Sequence, residues 1–194
     1  MTELHRSITL RLPEWVAQHL TEPKAPLETR EQRMRLAIEL AALNQEHGTG
    51  GPFGAAIFDA DGRLVSVGVN LVVSSSCSFA HAEMLAIGTA QQRLGSYDLG
   101  GPERPTRELV ASTEPCAMCM GAIAWSGVRR LVCGARDSDA REIGFDEGSK
   151  PDDWVGELET RGIAVIRDVC RDEARSVLRQ YAESGGVIYN PWRP

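Results

Sequence analysis

The chain has 194 residues, 42% of them hydrophobic and 25% charged, enough to bury one core in a single compact domain. Its formal net charge is -6 and its isoelectric point about 5.3, which excludes the broad basic field that phosphate backbones and anionic membranes attract. The opening stretch MTELHRSITLRLPEW has no apolar core of signal type and no run is long enough to span a bilayer, so a small neutral substrate and a cytoplasmic location are expected.

Residues 1–30, ending in the proline-containing TEPKAPLETR, read as an extension leading into one domain over 31–194. Met34, Ile38, Ala41 and Ala42 recur at helical spacing and predict a helix over 31–47, stopped at Gly48. PFGAAIFDADGRLVSVGVN predicts a hairpin, with strands over 53–58 and 64–70 joined by Asp61-Gly62. A serine-rich loop over 74–78 leads into HAEMLAIGTAQQRLG, a helix whose buried face is marked by Met84, Ile87 and Leu94 and which ends before Gly95. RELVAST reads as a short buried strand and PCAMCMGAIAWSG as a helix entered through Pro115. RRLVCGA and GIAVIRD predict two further strands, DEARSVLRQYAES a last helix, and GGVIYNPWRP, 185–194, a tail. Strands alternating with helices imply an α/β layered fold around a central sheet.

Five cysteines, Cys77, Cys116, Cys119, Cys133 and Cys170, make an odd number in an ordinary globular composition, so disulfide stapling is not expected. Only Cys116 and Cys119 are close enough in sequence to share a metal; the others read as small apolar residues. A one-turn C-x-x-C presents two thiolates to one ion, whose charge they balance, and His81 would complete three protein ligands. Three ligands leave a tetrahedral Zn²⁺ an open position for water, whose pKa falls from about 15.7 to roughly 7. Glu83, two residues from His81, is placed to carry protons from that water to a substrate ring and a leaving amine. Separately, H-x-E and C-x-x-C are weak signals; together at two successive helix starts they specify a catalytic zinc site. A structural zinc would close all four positions, and Cys77, Cys133 and Cys170 lack ligand-like spacing.

His81-Ala82-Glu83 with Pro115-Cys116-Ala117-Met118-Cys119 resembles the cytidine-deaminase-like superfamily. The resemblance implies a three-layer α/β/α fold with a mixed five-stranded sheet and one Zn²⁺ per subunit. Over most of 31–190 the chain is most similar to bacterial guanine deaminase of the guanine/ammeline type, in GGPFGAAIF, VGVN, AHAEMLAI, TEPCAMCMGAIAWSGV and IGFDEG. It implies hydrolysis of guanine, and of ammeline as a second substrate, in a homodimer. Glu147, after Phe145-Asp146, matches an acidic residue of that family and is implied in substrate contact or proton shuttling. As an acceptor-only group it suits the paired donor edge of guanine; the alternative is a solvated acid in an acidic loop. Asn70 matches the asparagine that binds the base, and otherwise reads as a residue finishing a strand. Ala82, Phe53 and Trp125 are counted with the substrate pocket, although without the resemblance the two aromatics read as core. Tyr189 is implied as a cap over the site, carried by a tail that some family members swap between subunits.

Two rivals stand beside this reading. A tRNA adenosine deaminase shares the H-A-E and P-C-x-x-C pattern but needs basic residues around the pocket mouth, where Arg129-Arg130 is the adjacent pair and the segments beyond are acidic. A non-catalytic zinc module would leave Glu83 idle.

Overall fold

The computed structural model describes residues 7–20, 25–101 and 105–191. In chain order the elements are α1 (Glu14–His19), α2 (Arg30–Glu46), β1 (Gly54–Phe58), β2 (Leu64–Val69), α3 (Val72–Ser75), α4 (Ala82–Leu94), β3 (Glu108–Thr113), α5 (Ala117–Ser126), β4 (Arg130–Ala135), α6 (Asp137–Glu142), α7 (Trp154–Thr160), β5 (Ala164–Ile166) and α8 (Arg171–Glu183). The five strands form one mixed sheet in the order β2-β1-β3-β4-β5. β1 runs antiparallel to β2 and β3, while β3, β4 and β5 are parallel.

The central strands β1, β3 and β4 are buried on both faces, and their alternation sorts side chains into two cores. Ala56, Phe58, Val110 and Val132 face a cluster with Met34, Leu40, Val177 and Leu178 of α2 and α8. Ala55, Ile57, Leu109, Leu131 and Cys133 face the opposite way, onto Ala86, Ile123 and Leu158 of α4, α5 and α7. Helices therefore cover both sides of the sheet, the α/β/α layering the resemblance implied. α2 begins in a capping box, with Thr29 accepting from the Gln32 N–H and Gln32 accepting in return from that of Thr29.

The structure departs from the sequence reading in several elements. On α4 the buried stripe is Ala82, Leu85, Ala86, Ile87 and Ala90; Met84 is half-buried and Leu94 is exposed. Small residues occupy that stripe because α4 closes onto β2 at Gly68, where a Cβ would lie 2.0 Å from the Ala82 carbonyl oxygen. The serine-rich region begins with a short helix, α3, set up by the Asn70 Oδ1 accepting from the Val72 N–H at 3.2 Å. α1, α6 and α7 are too short for a periodic signal. α1 buries Trp15 and Val16 in the same core as α2 and α8, so this part of the N-terminal extension is packed against the domain rather than apart from it. No described helix is long and apolar enough to cross a membrane.

Candidate active site

Three loops and two helix starts meet at the ends of β2 and β3. β3 delivers Glu114 and Pro115 to the start of α5, whose N-cap is Cys116 and whose first turn carries Cys119. His81 is the N-cap of α4. Neither N-cap side chain bonds its own helix, which leaves both turned toward each other. His81 Nδ1 lies 3.5 Å from Cys116 Sγ and 3.6 Å from Cys119 Sγ. A tetrahedral zinc with sulfur at about 2.3 Å and nitrogen at about 2.0 Å spaces such a pair by roughly 3.6 Å. All three ligand atoms fall within 4.8 Å of one another, so the donor set and its spacing fit one Zn²⁺. The Cys116 thiol is held down at about 4, first by the hydrogen bond from Cys119 and then by His81, against its burial. Cys119 is raised by the same shared proton and by burial. A dication between the two sulfurs takes the place of that proton.

Of the buried carboxyls around this centre, Glu114 is taken up by Arg167 and the Asp137 N–H, while Glu83 and Glu147 face the cavity. Glu83 is pushed above the usual carboxylate range by burial and then by the charge at Cys116. Glu147 is pushed up to about 8, again by burial first and then by Cys116 and Glu83. Its loop is built for it: the Gly148 N–H donates to Asp146 Oδ1 at 3.0 Å, an Asx turn, and the Glu147 carbonyl accepts from Ala117 N–H at 2.9 Å. The Glu147 backbone thus satisfies a free donor at the first turn of α5, the helix that carries Cys119. Lys150 pins the same loop, donating to the Pro115 carbonyl at 2.7 Å and pairing with Asp137 at 2.7 Å.

A cavity of about 510 Å³ opens beside these groups. Phe53, Asn70, His81, Glu83, Cys116, Glu147 and Tyr189 line it, so the fold brings these residues together from six segments. Asn70 is buried, its Oδ1 taken by Val72 N–H, so its Nδ2 donors are left for a ligand. Tyr189 packs edge-on to Phe145 at 5.1 Å, and its buried hydroxyl has no hydrogen-bond partner among the described residues. The tail that carries it is anchored within its own chain, with Asn190 Nδ2 donating to the Gly144 carbonyl at 2.8 Å and its Oδ1 accepting from Asp146 N–H at 2.9 Å.

Of the pocket residues read from the sequence, Trp125 lies elsewhere and Ala82 reaches the site through its backbone only. Trp125 is 84% exposed on the outer side of α5, in a shallow groove with Met84, Met118 and Met120, and does not line the cavity. It sits nine residues past Cys116 on a helix whose first turn alone faces the metal site. Ala82 has its side chain in the core against β2, leaving only its backbone near the site. Conversely, Val72, Ser78, Glu114, Phe145, Asp146 and Asn190 line the cavity without having been singled out. Phe145 and Asp146 were inside the quoted IGFDEG motif, but nothing local marks Asn190 as an anchor 44 residues away from its partner.

Residues 27–135 match the family described as the cytidine and deoxycytidylate deaminase zinc-binding region. Guanine deaminase of Bacillus subtilis (strain 168) is 40% identical over 114 residues, which are 59% of this chain and 69% of the relative. The structure of NE0047 in complex with 2,6-diaminopurine superposes with a TM-score of 0.88 and 48% identity, covering 95% of this chain and 97% of that one. That of guanine deaminase from Nitrosomonas europaea gives 0.88 and 44%, covering 93% and 99%. With its ligand triad, mixed five-stranded sheet and these relatives, the chain belongs to the zinc-dependent cytidine and deoxycytidylate deaminase family.

Proposed function

We propose that the chain hydrolyses guanine and water to xanthine and ammonia, and accepts ammeline as a second substrate. The observation that carries this reading is Glu147, a buried carboxyl that makes no side-chain hydrogen bond within the described protein and faces the metal site across a cavity. An acceptor-only group in that position fits a ring edge with two N–H donors, which guanine has and adenine and cytosine lack. Guanine deaminases among the relatives, and the diaminopurine bound to NE0047, support the same class of ligand.

His81, Cys116 and Cys119 would hold the zinc, which when bound supplies Lewis acidity and lowers the pKa of water at its fourth position. Glu83 takes one proton from the attacking water and passes it to the ring nitrogen, then takes the second from the hydroxyl of the tetrahedral adduct and gives it to the amine, which leaves as ammonia as the C–N bond breaks, a role suited to a carboxyl whose pKa is already raised. Glu147 accepts from the ring donors, Asn70 Nδ2 donates to a ring acceptor, and Phe53 supplies an aromatic wall. The tail over 185–194 closes the cavity with Tyr189, so that water is excluded around the reacting atoms. The apolar face of α5, with Trp125 and Met118 exposed, supports a homodimer. We place the enzyme in the cytoplasm.

The test is ammonia release by purified zinc-loaded protein from guanine, guanosine, adenine, cytosine, cytidine, ammeline and an adenosine-containing tRNA loop. Guanine turnover, abolished in a Glu83→Ala protein that keeps its zinc and fold, is the expected result. Turnover of the RNA alone, or equal ammonia from wild type and variant, overturns it.

A further inference from the structure

The proposed chemistry leaves unused a fully buried polar side chain that reaches the backbone behind two parts of the cavity wall. Asn44, near the end of α2, has 0% exposure. Its Nδ2 donates to the carbonyl oxygens of Gly51 and Asn70, both at 2.8 Å, and its Oδ1 accepts from the Thr49 hydroxyl at 2.7 Å. That hydroxyl accepts in turn from Trp15 Nε1–H at 3.1 Å, and the indole stacks on His47 with ring centroids 5.1 Å apart. A relay of three side chains thus joins α1 to the backbone of Asn70.

One carbonyl belongs to Asn70, which lines the cavity, and the other to Gly51, which backs the cavity residue Tyr189. Asn70 follows the last paired residue of β2, where the ladder ends at Gly54 opposite Val69, and its N–H donates to the Phe53 carbonyl at 3.1 Å. The Asn44 bond adds a second backbone tether, at the Asn70 carbonyl. Gly51 lies against Tyr189, since a Cβ there would come within 2.7 Å of the tyrosine hydroxyl. Between them Gly50 leaves no room at all: its Cβ would fall 1.8 Å from the Asn70 carbonyl oxygen and 2.9 Å from Asn44 Nδ2.

We propose that Asn44 is a positioning residue for Asn70, and that α1 bears on the reaction through it: Trp15 fixes Thr49, Thr49 fixes the Asn44 amide, and the amide fixes the Asn70 carbonyl. The proposal rests on the reading of Asn70 as a ring-binding residue. The physical basis is that a buried amide engaged at both ends has one orientation; turning it over would set Oδ1 against two carbonyl oxygens and leave the hydroxyl of Thr49 facing an NH₂. Without the Thr49 bond that orientation loses its anchor, the Asn70 peptide is free to shift, and a displacement of about 1 Å at a substrate-positioning group costs up to roughly 100-fold in rate. The same amide holds the Gly51 carbonyl, which also accepts from the Phe53 N–H at 2.9 Å, so the part that runs through Asn70 is separated by a cycle against Asn70→Ala.

The experiment is a double-mutant cycle on full-length zinc-loaded protein, with Thr49→Val, which keeps shape and removes the hydroxyl, and Asn70→Ala. Thr49→Val is expected to keep one zinc per chain and lower kcat/KM for guanine about tenfold, while costing less than twofold in the Asn70→Ala background. Trp15→Phe is expected to act in the same direction more weakly, and Thr49→Ser to restore wild-type kcat/KM. A Thr49→Val protein with lowered Tm but kcat/KM within twofold of wild type overturns the proposal, as does an equal loss in both backgrounds. If Asn70→Ala itself keeps wild-type kcat/KM, the ring-binding role of Asn70 falls and the proposal with it, an outcome distinct from intact Thr49→Val beside damaged Asn70→Ala.

Discussion

Cys116 and Cys119 share a proton in a pocket where burial works against a second negative charge, and the same burial pushes Glu83 and Glu147 above the usual carboxylate range. A dication reverses this balance by favouring thiolate at both sulfurs. Cys116→Ala is therefore expected to release the metal, read as loss of zinc from the dialysed protein by elemental analysis, whereas Glu147→Gln keeps it. Glu147→Gln removes an ionic acceptor for substrate N–H groups, so kcat/KM for guanine is expected to fall about 10- to 100-fold, the worth of a hydrogen bond to a charged partner. Unchanged steady-state kinetics in that variant would remove Glu147 from the site. The ligand triad was legible in the sequence because each ligand sits at a helix start and spacing within one turn is local. Asn70 was legible as a residue type but not in its bonding: the Asx turn to Val72 uses its acceptor and leaves a donor only.

At the scale of elements, close approach of backbone to backbone decides where α4, which starts at His81, and α2, which carries Asn44, lie on the sheet. α4 meets β2 at Gly68 and α2 meets β1 at Gly54, where a Cβ would lie 2.3 Å from the Ala37 carbonyl oxygen. Gly68→Ala is expected to destabilise by about 1–3 kcal/mol through overpacking and to shift His81 at the head of α4, detectable as a lowered Tm together with weaker zinc retention. A second device ties α6 to α8: buried Asp139 accepts from Arg171 through both oxygens at 2.9 Å and from the Arg136 N–H at 2.8 Å. The Arg171 bonds hold its carboxyl below the usual 3.8, with the Arg136 backbone adding to them. A group whose folded pKa lies below its unfolded value stabilises the fold above the unfolded value and loses that contribution as pH falls through the folded one. Asp139→Asn is thus expected to cost about 1.5–3 kcal/mol at pH 7, and its Tm deficit should narrow below the unfolded value of 3.8. A deficit constant across acid pH would assign the loss to packing.

For the whole molecule, the surface of α5 matters more than its length suggests. Trp125 at 84% exposure and Met118 at 38% border a groove with Met84 and Met120, an apolar patch on the side of α5 away from the sheet. The proposed homodimer is expected to sediment as a dimer and Trp125→Arg as a monomer; a variant that sediments as the wild-type dimer would take the subunit contact off this face. The tail is a second whole-molecule feature, since Asn190 reaches back to Gly144 and Asp146 and seats Tyr189 over its own chain's cavity. Deleting 185–194 is expected to raise KM for guanine, and unchanged kinetics would deprive the tail of its capping role.

The sequence by itself determined the chemistry and the class of fold: H-x-E and P-C-x-x-C are short-range patterns, hydrophobic alternation marks strands, and Gly-rich turns mark their ends, all properties of neighbouring residues. It read Trp125 as a pocket residue because residue type and motif membership do not say which side of a helix faces the cavity. Only the tertiary structure decided that orientation, the docking of α1 on the core, the Asn44 bridge and the Asn190 anchor. Each of these depends on hydrogen bonds or contacts between residues 26 or more positions apart, fixed by how the layers close and not by any pattern along the chain.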